Sequence, residues 1–556
     1  MVLGARHFSG AHGFVATRKM RHWSGALPAM SLGRAVATVG GFTLLSRIVG
    51  FIRDIVLSAV LGSGALADAF FVAFKLPNFF RRLFAEGAFS AAFVPLFSRE
   101  LQGHGRDAAL AFARQAHAGL LLVLVPFSVL LMFGMPGVLA LLAPGMRDEP
   151  SFAMAVEFGR ITFPYLLFIS LASLYGGVLN SIDRFAHVAA TPILLNLALI
   201  GAVLGLTPLL PNAGYAASIG VAIAGLLQWL WLLIACARDG VSMKLVRPRW
   251  TERIARLVKL ATPVAIGGGA QQISSMLDVV WASLLPVGTI SAIYYADRIA
   301  QLPLGVVGIA IGTALLPLLA RQLRAGQAQS AMANQNRAIE FGLMLSLPAA
   351  LALWLLADPL IRTLFERGRF GPDDTLRTAS ALAAFAVGLP AFVLVKALTP
   401  GFFAREDTRT PLYIATTAIV VNIVLNIVFL YGTTLAQVGI ALATSLSGWL
   451  NAGMLAIVLR RRRHWVPDER LISRSTRMAG ATAGMGLALW LALVWLAQPL
   501  AHANFLGVVS ALGLCALGAI VYAALGALLG VVKLSELRFV MRRQPGLSSI
   551  DPGEQP

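Results

Sequence analysis

The sequence predicts an all-α polytopic membrane protein, and three features of the chain support this fold class. Of its 556 residues, 58% are hydrophobic and only 13% are charged, about half the charged fraction of soluble domains. The apolar residues form repeated runs of about 20, the length that crosses a bilayer as a helix. These runs lack the short alternation of barrel strands. The composition therefore excludes a soluble enzyme, a collagen-like fibre and a disordered chain.

Fourteen apolar stretches are predicted to span the membrane as helices. Taken in chain order, they divide into two sets of six and a final pair. Their predicted limits are 36–60, 66–97, 109–138, 153–181, 187–209, 214–237, 255–285, 289–321, 336–364, 375–403, 411–431, 436–460, 477–498 and 505–532.

The distribution of Lys and Arg among the connections orients these spans. The connections after spans one, five, seven, eleven and thirteen carry no Lys or Arg, whereas those after spans six and twelve are strongly basic. The connection after span nine departs from this pattern, since it carries Arg367 and Arg369. The positive-inside rule then places both termini in the cytoplasm. The net charge of +20 reflects cytoplasmic loops, and no nucleic-acid partner is expected.

The two ends of the chain are predicted to lie outside the membrane. Residues 1–29 are basic but lack the apolar core of a secretory signal. We expect a disordered extension or an early start codon, with Met20 and Met30 as alternative starts. Residues 536–556 are expected to form a cytoplasmic tail. Cys236 and Cys515 lie in apolar stretches, where neither a disulfide nor a metal site is expected.

An internal repeat predicts two related lobes. Residues 92–101, AFVPLFSREL, resemble residues 314–323, ALLPLLARQL, at an offset of 222. Two further matches, in which Pro164 pairs with Pro390 and Asn196 with Asn422, occur at an offset of 226. Because six is an even number of spans, the second copy of the repeat enters the membrane from the same side as the first and has the same orientation. We therefore expect parallel, pseudo-symmetric lobes at 30–240 and 241–465 around a central cavity, with two additional helices at 466–535.

The first two spans contain charged residues where lipid would make them costly. A charge at a helix centre costs about 2.5–3.5 kcal/mol on insertion scales, so these side chains must face protein or a water-filled cavity. Asp68, Lys75 and Arg82 are seven residues apart, which keeps them near one helix face. The predicted cationic cavity is lined by Arg47, Arg53, Asp68, Lys75, Asn78, Arg81, Arg82 and Arg298, with Asp54, Glu86 and Asp297 as supporting residues.

The charge surplus in these two spans predicts an anionic ligand. Five basic side chains accompany three acidic ones. Arginine binds phosphate bidentately and lysine adds a point charge, so we expect a phosphate-bearing or pyrophosphate-bearing lipid head group. The alternative is a set of internal ion pairs that only holds the helices together, with Asp54 and Glu86 neutralising two arginines. Arg298 either completes the cavity from the second lobe or pairs with Asp297.

Several of these segments match a known family. Residues 46–54, SRIVGFIRD, and residues 68–90, DAFFVAFKLPNFFRRLFAEGAFS, closely resemble the lipid II flippase family (MurJ, also called MviN). Residues 295–298, YADR, and 396–403, KALTPGFF, are similar to its later signatures. The resemblance runs from about residue 30 to about residue 535.

This resemblance implies the fold of the multidrug/oligosaccharidyl-lipid/polysaccharide exporter superfamily. The implied activity is translocation of undecaprenyl-pyrophosphate-linked peptidoglycan precursor (lipid II) from the inner to the outer leaflet of the bacterial inner membrane. Transport would proceed by alternating access without an ATPase, with the lipid tail in a groove formed by the last two helices. The implied partners are lipid II, bilayer phospholipids and other cell-wall synthesis proteins, and the expected oligomeric state is a monomer.

The resemblance also assigns residues. It maps the family's functional arginines and acid onto Arg47, Arg53, Asp68, Arg81 and Arg298, and it adds Ser46 and Glu86 as matching positions. Some members carry a glutamate where this chain has Gln301, so the resemblance does not carry an acid-dependent gating step to this position.

The source of energy is left open by the sequence. No cofactor is expected, and sodium, protons or the membrane potential are the candidates. Some relatives look sodium-coupled, which suggests a cation site at Asp278, Asn422, Asn426 and Thr444. Polar contacts between helices are the alternative for these residues.

Two other functions remain open at this point. One is export of another polyprenyl-linked oligosaccharide, or of a drug, by the same fold, although five basic groups would repel cationic drugs. The other is a membrane-embedded glycosyltransferase, for which the predicted outer connections are short.

Overall fold

The computed structural model describes residues 32–82, 87, 89–496, 500 and 505–531. The predicted extension at 1–29 and tail at 536–556 lie outside this part of the chain. Within it the structure is helical and contains no strand. The helices are α1 (Leu32–Leu61), α2 (Ala65–Phe80), α3 (Ser90–Phe133), α4 (Met135–Leu142), α5 (Ser151–Thr162), α6 (Tyr165–Asn180), α7 (Phe185–Leu206), α8 (Ala213–Arg238), α9 (Glu252–Ser283), α10 (Thr289–Arg324), α11 (Ala328–Leu355), α12 (Ala357–Phe365), α13 (Pro372–Phe403), α14 (Arg409–Gly432), α15 (Gln437–Arg461), α16 (Glu469–Trp495) and α17 (Phe505–Leu528).

Ten helical stretches in the described part of the chain are long and apolar enough to cross a membrane. One of them, Ser151–Asn180, joins α5 and α6. The all-α membrane fold is therefore confirmed. The count of fourteen spans stays a prediction, because α1, α2, α9 and α10 are not among these ten stretches.

The predicted connection between spans two and three coincides with a break in α3. Residues 98–108 were expected to form it, and Gly105, with φ 80° and ψ −178°, has non-helical backbone angles at a kink between two helical segments. After α2, residues 81, 82, 87 and 89 are π-helical. Pro77, inside α2, cannot donate a helical hydrogen bond and weakens the helix before these residues. Arg81 and Arg82 therefore lie at an irregular turn, a geometry frequent at functional sites.

Helix packing supports the predicted two lobes and additional pair. Helices α1–α8 pack mainly on one another, and α10, α11, α13, α14 and α15 form a second group. Helices α16 and α17 pack together and contact α11 and α12, respectively. Helix α9 contacts members of both groups. The long helices α3 and α11 are each followed by a short one, α4 and α12, as pseudo-symmetry requires. The boundaries at 240 and 465 stay predictions.

Small residues allow the close approach of helices within a lobe. In the pair α13 and α15, a side-chain carbon at Gly388 would lie 2.6 Å from Ser445 Oγ and 2.8 Å from its Cα. Only glycine fits this crossing. Close backbone approach is how helices associate in lipid, where apolar side chains gain little by leaving the bilayer.

A buried ion network attaches α16 to the second lobe. Glu340 of α11 is 6% exposed and binds Arg474 of α16, which is 9% exposed. Glu340 also pairs with Arg337, and Arg337 in turn binds Asp468. The Asp468 side chain accepts a hydrogen bond of 2.8 Å from the Leu471 amide and so caps α16. The network fixes the position of α16 relative to α11.

Replacing Glu340 by Gln is expected to destabilise the fold by about 3–5 kcal/mol, because it removes the buried carboxylate charge that binds the buried Arg474. The measurement is thermal unfolding of the purified protein in detergent. The matched control is Asp358→Asn, which removes an i,i+4 partner of Arg362 whose side chain is 48% exposed. This control is expected to cost less than about 1 kcal/mol. Equal unfolding temperatures for the two variants would contradict the assignment.

Candidate functional site

Charged side chains lie in three layers along the contact between the lobes. The first layer lies at the turn between α1 and α2. It consists of Ser63, Asp68, Gly288 and Ser291 and is called the latch. The middle cluster surrounds Arg53 of α1 and Arg298 of α10, which lie about 12 and 14 Å from the latch ends of their helices, at a rise of 1.5 Å per residue. The basic layer contains Arg47 and lies about 9 Å farther along α1.

The latch joins α2 of the first lobe to the start of α10 in the second. Asp68 is 4% exposed. Its Oδ2 accepts a hydrogen bond from the Gly288 amide at 2.6 Å, and its Oδ1 accepts from the Ser291 amide at 2.7 Å and the Ser291 hydroxyl at 2.6 Å. Ser63 Oγ donates to the Gly288 carbonyl at 3.1 Å. A carboxylate at a helix N-terminus is favoured by the free amides and the helix dipole.

Backbone contacts close the same end of the molecule. The amide of Arg369, between α12 and α13, donates to the Ala59 carbonyl at 2.8 Å. Gly62 (φ +73°) makes this approach possible, because a side-chain carbon there would lie 2.8 Å from the Arg369 carbonyl oxygen. Tyr295 donates its hydroxyl to the Gly62 carbonyl at 3.2 Å. The two lobes therefore touch through the main chain at the latch.

Arg53 is held in the middle cluster by the first lobe. It is 7% exposed, and its Nη2 lies 2.6 Å from Asp54 Oδ1. Its Nη1 donates to Asn196 Oδ1 of α7 at 2.9 Å. The Asn196 amide then donates to the Ser46 carbonyl at 3.0 Å. Ser46 thus supports the cluster through its main chain, and Asn196, which entered the sequence analysis only through the repeat, orients Arg53.

Arg298 approaches the same cluster from the second lobe. Its Nε lies 3.9 Å from Asp54 Oδ2, too far for a hydrogen bond, and this buried Nε has no hydrogen-bond partner among the described residues. Its guanidinium carbon lies 4.8 Å from the Tyr294 ring centre, a cation–π distance. Asp297 accepts a hydrogen bond from Gln301. Both predicted alternatives for Arg298, completion of the cavity and a pair with Asp297, stay predictions.

Lys75 completes the middle cluster from α2. The carboxylates of Asp278 on α9 and Asp297 on α10 both attract it. Asp278 Oδ1 is buried and has no hydrogen-bond partner among the described residues. The middle cluster thus contains three basic side chains, Arg53, Arg298 and Lys75, and three acidic ones, Asp54, Asp278 and Asp297.

The predicted cation site is only partly assembled. Asn426 donates to Asn422 Oδ1 at 3.1 Å, and Asn422 donates to Thr444 Oγ1 at 3.5 Å. In the described part of the chain, no hydrogen bond links these three to Asp278, which instead interacts electrostatically with Lys75 and Asp297. That part of the chain also has no group of three or more His, Cys, Asp or Glu able to hold a metal. The contacts match interhelical polar packing, and a cation site stays a prediction.

The basic layer lies on the far side of the middle cluster from the latch. Arg47 is exposed, and so is Arg82. Arg81 donates to Asn78 Oδ1 at 3.2 Å. Lys396 of α13 is also exposed and is repelled by Arg47. The predicted supporting residue Glu86 lies outside the described residues.

Lys396 was missed as a site residue by the sequence reasoning. It was quoted only as part of a family signature. The signal that identifies it is a lysine deep within the apolar run predicted at 375–403, 19 residues beyond Arg377 at its start, because a charge inside a membrane span is costly unless it faces a cavity.

Known proteins resemble this chain in sequence and in fold. The sequence profile of the family described as "Lipid II flippase MurJ" matches residues 57–509. The chain is 44% identical over 529 residues to the probable lipid II flippase MurJ of Rhizobium meliloti (strain 1021), covering 94% of this chain and 98% of that protein. This chain belongs to the lipid II flippase MurJ family.

Other MurJ relatives and solved structures agree with this assignment. The probable lipid II flippase MurJ of Haemophilus influenzae is 37% identical, with 88% of this chain and 98% of that protein covered. A solved structure of lipid II flippase MurJ in an inward closed conformation superimposes with a TM-score of 0.74 at 24% identity, covering 91% of this chain and 99% of that chain. An inward-facing multidrug resistance MATE family transporter gives 0.64 at 15% identity, covering 77% and 98%. These structures confirm the predicted transporter fold.

Replacing Asp68 by Asn is expected to loosen the latch of this MurJ-family protein. The change removes the charge that binds the Gly288 and Ser291 amides, and hydrogen bonds to a charged group contribute about 1.5–3 kcal/mol. Hydrogen–deuterium exchange of these two amides should accelerate roughly 10- to 100-fold. The control Asp148→Asn, an exposed acid before α5, should leave that exchange unchanged. Unaltered protection of the Gly288 and Ser291 amides in the Asp68 variant would refute the role of the latch.

Proposed function

We propose that this protein translocates lipid II from the inner to the outer leaflet of a bacterial inner membrane by alternating access. The observation that carries the proposal is the meeting of Arg53 and Arg298, one from each lobe, at the single carboxylate of Asp54. Membership of the MurJ family supports the substrate, and the basic cluster supports recognition of its diphosphate.

The middle cluster has unused capacity for an anion. Arg53 is already bonded to Asp54 and Asn196, so it contributes a fixed positive charge. Arg298 has a free Nε and only a long ion pair. A diphosphate oxygen would therefore gain a charge-assisted hydrogen bond from Arg298 and an electrostatic contribution from Arg53 and Lys75.

The distribution of Lys and Arg supports the orientation of the site. By the positive-inside rule it favours an orientation with the α1–α2 turn, and with it the latch, on the outer side of the membrane, and both termini in the cytoplasm. In this orientation the structure is closed to the outside by the latch, while the basic layer faces the cytoplasm. Lipid II would then reach Arg47 and Arg81 before it reaches Arg53.

Substrate binding changes the relative stability of the two arrangements of the lobes. The anionic head group neutralises part of the cluster, and a ligand changes a conformational equilibrium only through such differential interaction. The lipid tail would stay in the bilayer along α16 and α17, which are attached to the second lobe through Glu340. The membrane potential contributes about 2.3 kcal/mol per charge per 100 mV, and sodium or protons are the alternative sources of energy.

The protein would act as a monomer that supplies lipid II to cell-wall synthesis proteins. A glycosyltransferase is the alternative of a different class. Purified protein in liposomes containing lipid II separates the two, because an enzyme would produce polymerised glycan while a flippase would only redistribute lipid II between leaflets.

Replacing Arg298 by Ala is expected to abolish delivery of lipid II to the outer leaflet, and Arg298→Lys to retain only part of it, since lysine lacks the planar fork. The measurement is outer-leaflet lipid II in cells depleted of their own flippase. The control Arg324→Ala changes an exposed arginine at the far end of the same helix and should support normal delivery. Normal delivery by Arg298→Ala at equal membrane abundance would sink the proposed role of the cluster.

A further inference from the structure

An arginine near the start of α13 contacts the turn that carries the second-lobe half of the latch. Arg377 lies in the second turn of α13. Its Nη1 donates a hydrogen bond of 2.9 Å to the carbonyl of Val287, in the turn between α9 and α10. The amide of the following residue, Gly288, donates to Asp68 Oδ2 at 2.6 Å. The Val287 carbonyl and the Gly288 amide belong to one peptide unit, so Arg377 and Asp68 bind its two ends.

The packing around Gly288 brings the two charged groups close to this peptide. Gly288 has φ +95°, and a side-chain carbon there would lie 2.9 Å from Arg377 Nη1 and 2.7 Å from the Ser63 carbonyl oxygen. Glycine adopts this left-handed conformation without strain, and it leaves room for both neighbours. The peptide is thereby held between the guanidinium of Arg377 and the turn that joins α1 to α2.

A carboxylate on α13 fixes the direction of the Arg377 guanidinium. Asp374 is 9% exposed, and its Oδ1 accepts from Arg377 Nη2 at 2.8 Å. The other oxygen, Oδ2, accepts from the Gly371 amide at 3.0 Å and so caps α13. Because Asp374 is held at both oxygens, the guanidinium is oriented towards Val287. The planar fork of arginine allows it to bind the carboxylate and the carbonyl at the same time.

We propose that Arg377 is a positioning residue of the latch, which acts on Asp68 through the peptide between Val287 and Gly288. A positive charge at the carbonyl end polarises the peptide, and hydrogen bonds in such a chain strengthen one another. The amide therefore becomes a better donor to the Asp68 carboxylate. This inference rests on the proposed function only for its consequence in transport, which is that loss of Arg377 favours opening at the latch.

The start of α13 also reaches the first lobe. The amide of Arg369, eight residues before Arg377, donates to the Ala59 carbonyl at the end of α1. The segment from Arg369 to Arg377 thus contacts the first lobe through its backbone and supports the α9–α10 turn through a side chain. A displacement of this segment acts on both sides of the latch.

The test is a double-mutant cycle read by hydrogen–deuterium exchange of the Gly288 and Ser291 amides in lipid nanodiscs. Arg377→Gln removes the charge at Val287, and exchange of the Gly288 amide should accelerate about 10-fold, as expected for a lost hydrogen bond to a charged group. In a chain that already carries Asp68→Asn, adding Arg377→Gln should change the rate by less than roughly 2-fold, because residues that act as a unit are not additive.

Two further variants separate positioning from general stability. Arg377→Lys keeps a positive donor but not the planar fork, and it should restore part of the protection. The matched control is Arg367→Gln. This exposed arginine lies on the same connection but donates to the Thr363 carbonyl within it, and the control should exchange like the parent protein. The Arg377 side chain is 34% exposed, so its variants are expected to fold, and equal thermal stability checks this.

The outcomes distinguish this inference from the proposed function. Parent exchange rates in Arg377→Gln refute the positioning role. Effects of Arg377→Gln and Asp68→Asn that multiply in the double variant also refute it, because the two residues then act independently. A parent chain that moves no lipid II, while the cycle gives the expected rates, overturns the proposed function and leaves the role of Arg377 in place.

Discussion

The carboxylate of Asp54 is the group on which the arrangement between the lobes depends. It is 3% exposed and interacts with one arginine from each lobe, Arg53 at 2.6 Å and Arg298 at 3.9 Å. A buried guanidinium without a partner is strongly unfavourable, and in a membrane span the cost of the charge rises further. One carboxylate cannot satisfy two guanidinium groups equally. Arg53 takes the short contacts, and Arg298 is left with capacity for another anion.

Two helices connect this cluster to the latch and to the basic layer. Helix α10 carries Ser291 in the latch, Arg298 in the middle cluster and Gly305 against Arg47. Helix α2 carries Asp68 and Lys75 in the corresponding layers. A helix is a rigid element that transmits displacement along its length, and packed interfaces have discrete arrangements. An anion that moves Arg298 therefore also acts on the start of α10, where Asp68 holds the two lobes together.

From the sequence it was possible to predict which site residues share one face of a helix. It was not possible to predict which residues of other helices they contact. Seven-residue spacing specified that Asp68, Lys75 and Arg82 share a side of the chain, because the angular position of a side chain on a helix is a local property. It did not show which environment surrounds each of the three side chains. Asp68 binds backbone amides of a segment 220 residues away, and no local pattern specifies such a contact.

Charge counting within two spans was incomplete for the same physical reason. The excess of five basic over three acidic groups was counted within two spans, but Asp278 and Asp297 come from the second lobe and attract Lys75. Asp278 had been grouped with Asn422 by family resemblance, whereas its electrostatic neighbours are Lys75 and Asp297. The π-helical conformation of Arg81 and Arg82 was also missed. Pro77 was visible in the sequence, but the conformation of the residues that follow it depends on how they pack.

The charge-balanced middle cluster is separate from the basic layer. This separation favours transport of an anion over a purely structural role, in which ion pairs only hold the helices together. If the charges only held the helices together, each exposed cation would have a carboxylate within reach, and Arg47 and Lys396 do not have one among the described residues. A cationic drug would meet the repulsion of the basic layer before it reached any carboxylate of the middle cluster. A diphosphate meets attraction first and then competes with Asp54 for Arg298. The order of the layers thus favours passage of a negatively charged head group from the basic layer towards the latch, and its release there requires the Asp68 contacts to break.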